Sequence, residues 1–131
     1  MPHLIIEYSA NVTARVDAHA LVDALHDAAL ATGVAPVDAL RTRAAARDVY
    51  AVGDRHPDNA FVAVTARFGA GRSDSDRRRV VDALMAALDD ALGDARETMM
   101  LSVEYQDIDP AQRVNQNNLR PLIAARGRDG S

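Results

Sequence analysis

At 131 residues the chain has the length of one domain with a sizeable core; it carries a formal net charge of −4 and has no cysteine. Disulfides and thiolate metal sites are excluded, and the acidic balance argues against general nucleic-acid affinity. No apolar run approaches membrane-spanning length and no charged-then-apolar leader opens the chain, so a cytoplasmic protein without a membrane contact is expected. The first strand is expected at "HLIIEY", 3–8, with Pro2 at its head, where a residue that cannot donate to a ladder does no harm. A helix follows at about 17–32, with Leu21, Val22, Leu25 and Ala29 on one side, ended by "TGVAP" with Gly33 past its last turn. An extended segment through "LRTRAAARDVYAV", 40–52, precedes the turn residues "GDRHPDN". The third strand is "AFVAVTARF", 60–68. "GAGRS" leads into a second helix at about 74–92, with Ser73 as N-cap and Val81, Leu84, Met85 and Leu88 on one face. The fourth strand is "TMMLSVEYQ", 98–106; short irregular or 3₁₀ structure follows, and residues 123–131 read as a frayed tail after a single domain of 1–122.

Arginine needs a discount before it supports any argument. All 15 basic residues are Arg, Asp outnumbers Glu 16 to 3, and Ala occurs 26 times. That pattern follows base composition, so an arginine informs only through its position. "DRRR", 76–79, sends its arginines in three directions on a helix, with Arg77 near the apolar stripe and able to snorkel. His19, Asp23 and His26 share one side of the first helix, but they flank its apolar stripe without a fourth ligand and read as solvated polar surface. Asn115 to Asn118 are expected to satisfy backbone groups at a subunit contact.

The element order is β-α-β, β-α-β, and the two helices share "VDAL" at 22–25 and 81–84, a match short enough to occur by chance in this Ala/Asp-rich chain. Two architectures share that order. In one, two right-handed parallel crossover units pair about a pseudo-two-fold axis. In the other, ferredoxin-like, the helices connect antiparallel strands. The first brings Pro2, Arg41 and Arg72 to one edge of the sheet; the second scatters them.

Gathered there, the three make chemical sense. Removal of Met1 would free the secondary amine of Pro2, and an α-amino group ordinarily titrates at about 7.7–8.0. Guanidinium neighbours and partial burial disfavour its charged form, which makes it a general base at neutral pH. The same arginines suit a carboxylate and would stabilise a developing dienolate. "GAGRS" also looks like an anion-binding turn at a helix start, though it lacks the spacing and the lysine of a nucleotide loop.

"MPHLIIEYS", "LRTR", "FVAVTARFGAGRS" and "NQNN" resemble the tautomerase superfamily, and within it the 5-carboxymethyl-2-hydroxymuconate Δ-isomerases of homoprotocatechuate (4-hydroxyphenylacetate) breakdown. The resemblance runs from Pro2 to about Leu119. It implies an α+β fold like that of macrophage migration inhibitory factor, with both helices on one face of a four-stranded mixed sheet. It further implies a cofactor-independent homotrimer acting on a small anionic dienol polycarboxylate. The family's proton-shuttling proline falls on Pro2, and its substrate-holding arginines on Arg41 and Arg72, with Arg43 assisting. Ala44, Ala45 and Ala46 depart from a family pattern that is bulkier there and often aromatic. Other readings are a tautomerase for another 2-hydroxydienoate or enol acid, and a non-catalytic ferredoxin-like or ACT-type ligand-binding module.

Overall fold

Alternation decides the architecture. In β1 (His3–Ser9) the side chains of Leu4, Ile6 and Tyr8 are buried while His3, Ile5 and Glu7 are only partly covered. β3 (Ala60–Gly69) buries Ala60, Val62, Val64, Ala66 and Phe68 in the same rhythm. A strand of period two therefore presents one face to a core and leaves the other only partly covered among the described residues. The computed structural model describes residues 2–128.

The strand order is β2-β1-β3-β4, where β2 is Arg41–Arg47 and β4 is Met99–Ile108. β1 pairs parallel with β2 and β3 parallel with β4, and the two units meet through the antiparallel β1–β3 ladder. This is the paired-crossover arrangement, and its parallel β1–β2 and β3–β4 pairs rule out the ferredoxin-like alternative. α1 (Ala18–Ala31) crosses from β1 to β2 and α2 (Asp74–Leu92) from β3 to β4. Both pack on the Leu4/Ile6/Val62/Val64/Phe68 face through Leu21, Leu25, Leu84 and Leu88.

Local chemistry sets the helix starts. The Asp17 carboxylate accepts the His19 backbone N–H at 3.0 Å, and the Ser73 hydroxyl accepts that of Asp76 at 3.1 Å. Asp74 and Asp76 in the first turn of α2 suit its positive end. The buried stripe of α2 is Val80, Leu84, Leu88 and Leu92, rather than the expected face through Val81 and Met85, which are only partly covered.

Three segments differ from the sequence reading. β2 stops at Arg47, short of the expected 52, because its ladder partner β1 ends opposite at Ser9 and turns into a 3₁₀ segment at Ala10. β4 runs to Ile108, since Phe68 and Gly69 supply partners for Asp107 and Ile108. The tail expected to fray from 123 is helical to Arg128 as α3 (Arg120–Arg128). The Asn117 side chain caps that helix by accepting from Leu119 N at 3.1 Å and Arg120 N at 3.2 Å, and Arg120 pairs with Asp38 at 3.0 Å. Residues 129–131 of the expected tail lie outside the described residues.

Candidate active site

The beginnings of β1 and β2 and the end of β3 fall at one end of the sheet. Pro2 heads β1 and is fully buried, and its carbonyl accepts the Arg41 backbone N–H at 3.3 Å. Arg41 opens β2 opposite His3, and Arg67 faces His3 from β3. Arg72 follows the end of β3, where Gly71 at φ +110 turns the chain in a conformation that a side chain would strain.

The side chains divide between the two faces of the sheet. Arg72 lies on the helix side: its guanidinium sits 5.2 Å from the centroid of the buried Phe68 ring. It donates to the Gly69 carbonyl at 2.9 Å and to the Val34 carbonyl at 3.4 Å, tying the end of β3 to the segment after α1. Tyr105 adjoins it, 5.3 Å from Phe68 between centroids. Burial pushes the Tyr105 phenol up from its ordinary value, against the opposing charge of the neighbouring Arg72. Arg77 does not simply snorkel: it lies 5.8 Å from the Tyr105 centroid and pairs with Asp107 at 3.1 Å.

Arg41 and Arg43 lie on the open face with His3. Arg41 Nη1 is 2.8 Å from His3 Nε2, and Arg43 Nη1 is 3.1 Å from His3 Nδ1. Burial, with the charges of Arg41, Arg43 and Arg67 adding to it, lowers the His3 imidazole to about 4. It is neutral at physiological pH. The topology thus places Pro2, Arg41 and Arg72 at one end, with Arg41 and Arg72 on opposite sides of it. Among the described residues, no hydrogen bond joins those two arginines.

A cleft of about 460 Å³ opens beside Arg41, between residues 37–41 and 114–119. Its polar wall is the "NQNN" segment. Asn117 donates to the Asp38 carbonyl at 2.6 Å, so the backbone group it satisfies belongs to its own chain. The face of α1 expected to be solvated is partly engaged, because His26 Nδ1 meets the Thr42 hydroxyl at 2.7 Å. Among the described residues no group of three His, Cys, Asp or Glu is arranged to hold a metal ion. His3, Arg67 and Tyr105 are site neighbours that the sequence reading did not single out. The antiparallel register could have exposed the first two, since His3 and Arg67 share strand parity with Arg41.

Two crossover units joined antiparallel, with both helices on one face, make the tautomerase fold, the fold of macrophage migration inhibitory factor-like proteins. The profile of the 5-carboxymethyl-2-hydroxymuconate isomerase family matches residues 2–123, and the chain belongs to that family. It is an isomerase. It is 30% identical over 125 residues to the 5-carboxymethyl-2-hydroxymuconate Delta-isomerase of Escherichia coli, covering 94% of this chain and 99% of that one. The crystal structure of a 5-carboxymethyl-2-hydroxymuconate isomerase from Deinococcus radiodurans R1 superposes with a TM-score of 0.85 at 32% identity, covering 93% of each chain. A fused 4-OT described as a symmetric trimer shares the fold, with a TM-score of 0.61 at 24% identity over 88% of this chain and 92% of its own.

Proposed function

We propose that the chain converts 5-carboxymethyl-2-hydroxymuconate to its 2-oxo-3-ene isomer in homoprotocatechuate (4-hydroxyphenylacetate) degradation, with Pro2 carrying the proton. The observation behind this reading is the place of Pro2: buried, at the head of β1, and bonded through its carbonyl to the start of the strand that carries Arg41 and Arg43. Met1 lies outside the described residues. Its removal is required, because an amide nitrogen has no proton affinity to use.

The step balances within the substrate. Pro2 takes the proton of the 2-hydroxyl, the electron pair moves through the diene, and the proton is returned at C5. The bonds C2=C3 and C4=C5 give way to C2=O and C3=C4, and neither oxidant nor cofactor is consumed. Burial and guanidinium charge keep the amine neutral beforehand. Arg41 and Arg43 on one side and Arg72 on the other suit a substrate with carboxylates at separated ends, and they stabilise the dienolate as charge reaches its oxygen. Arginine is suited to this task because its planar fork meets a carboxylate bidentately.

The assembly in this reading is a homotrimer. A fold neighbour is described as a symmetric trimer, and the sheet's second face has no covering layer among the described residues. The partners are the substrate and two like chains, with no role for nucleic acid or membrane. No helix among the described residues is long and apolar enough to cross a bilayer, and the reading places the protein in the cytoplasm.

The test is a dienol ketonisation assay on protein whose N-terminus has been defined by mass spectrometry. With Met1 absent, Pro2→Ala is expected to lower kcat about 10²-fold or more. Full turnover in that variant ends the reading.

A further inference from the structure

We propose that His3, Arg41, Arg43 and Arg67 form a seat for one carboxylate on the open face of the sheet, in which Arg67 is a ligand and His3 positions its neighbours. The identity of that carboxylate, the substrate's own, rests on the isomerase reading above.

Three of the four conflict as they stand. Arg41 Nη1 lies 2.8 Å from His3 Nε2 and 3.4 Å from Nδ1, and Arg43 Nη1 lies 3.1 Å from Nδ1, so both ring nitrogens face guanidinium groups. A guanidinium only donates, whereas a neutral imidazole accepts at one nitrogen and donates at its second. One of the two contacts therefore sets N–H against N–H. Protonating the ring makes this worse, because both nitrogens then donate. A carboxylate resolves it. Its two oxygens offer about four acceptor sites, enough for the imidazole N–H and for several guanidinium N–H groups already gathered there.

Charge points the same way. Arg47, Arg77, Arg78, Arg79 and Arg120 each hold a carboxylate within the chain. Among the described residues no carboxylate pairs with Arg41, Arg43 or Arg67. Glu7, on the same face of β1, is already held by Arg47 at 2.9 Å. Glu104, on β4 diagonal to Arg67 in the ladder, forms no ion pair among the described residues. Three cations thus surround a neutral ring, from β2 on one side and β3 on the other, with no anion of their own. Other arginines without a carboxylate, such as Arg15, Arg72 and Arg96, are held by backbone carbonyls instead, whereas Arg41 and Arg43 are turned onto a neutral imidazole.

The probe is glutarate, a dicarboxylate that cannot isomerise, titrated into the full chain while the His3 ring is followed by ¹H–¹⁵N NMR. A signal missing in His3→Gln assigns it. Bound carboxylate stabilises the protonated ring, so the His3 midpoint is expected to rise from about 4 to above about 5. Arg67→Gln is expected to weaken glutarate about fivefold and to raise KM more than it lowers kcat, with partial recovery in Arg67→Lys. Glu104→Gln is expected to change neither.

The proposal is overturned if glutarate leaves the His3 ring unmoved or if Arg67→Gln binds it like the parent chain. It is also overturned if Glu104→Gln alone shifts the ring, because a neighbouring chain's glutamate then fills the seat. Failure of the underlying reading looks different: Pro2→Ala turns over fully while glutarate still titrates His3. An inactive Pro2→Ala variant with an indifferent His3 sinks the seat and leaves the isomerase.

Discussion

Pro2 stands where strand chemistry and the proposed proton transfer agree, because the first residue of a strand needs no N–H and the proposed site lies at that end of the sheet. Arg72 has two duties there. It holds the Gly69 and Val34 carbonyls, and it is the helix-side guanidinium of the proposed site. Arg72→Ala is expected to raise KM for a dienol dicarboxylate about tenfold and to cost about 1 kcal/mol of stability, read by steady-state kinetics and urea unfolding. His3 gives a pH signature. Its folded value of about 4 lies below the ordinary imidazole value of 6.5, so between those limits the unfolded chain binds more protons. Its contribution is fully present above about pH 6.5 and is lost as pH falls toward 4. After solvent screening the loss is about 1 kcal/mol, and His3→Gln is expected to flatten that part of a stability-against-pH curve. Which residues reach this end of the sheet was legible in the sequence only through the paired-crossover topology, because the element order is shared with an alternative that scatters Pro2, Arg41 and the loop of Arg72. Which face each side chain takes was not. That depends on register and on the strained turn at Gly71, and neither is written in composition or periodicity.

α2 shows what element-level reading can and cannot resolve. Both bounds of the expected helix, 74 and 92, agree with the structure, because Ser73 caps it and Gly93, at φ 55, follows its last turn. The buried stripe came out one residue displaced, because Val80 and Val81 are equally apolar and only packing against β3 and β4 chooses between them. Leu84 is in both versions and is completely buried. Leu84→Ala is expected to cost about 2–5 kcal/mol by chemical denaturation, whereas Val81→Ala, at a half-covered position, falls well below that range. β2 was overestimated because strand propensity continues through "DVYAV" after the pairing partner has gone. α3 was missed for the opposite reason: its start is stabilised by a side-chain cap from Asn117 and an ion pair to Asp38, 82 positions away in the chain. Asn117→Ala removes both the cap and the bond to the Asp38 carbonyl. It is expected to raise amide exchange across 120–127 without moving the global unfolding midpoint by more than about 1 kcal/mol.

At the scale of the molecule the open face of the sheet is two-ended. Arg41, His3 and Arg67 occupy the row beside Pro2; at the far end Phe61 and Met100 lie on the β3–β4 side and the Arg47–Glu7 ion pair on the β1–β2 side. Tyr50 meets Phe61 edge-on with centroids 6.4 Å apart, and Met100 leaves 62% of its surface exposed. An apolar end of this kind suits burial against another copy, while the basic end suits an anion. If three chains close around this face, an acidic residue among the apolar side chains of three copies sets like charges close together and buries them. Met100→Glu is therefore expected to shift the protein from trimer to monomer at micromolar concentration, as read by light scattering, with the circular dichroism of the monomer unchanged. Activity then discriminates between two pockets. A pocket completed by a neighbouring chain loses turnover with the trimer and regains it as concentration rises, because association is driven by mass action. A pocket built from one chain alone keeps its turnover in the monomer, and Arg41 and Arg72 must then reach the substrate around the end of the same sheet.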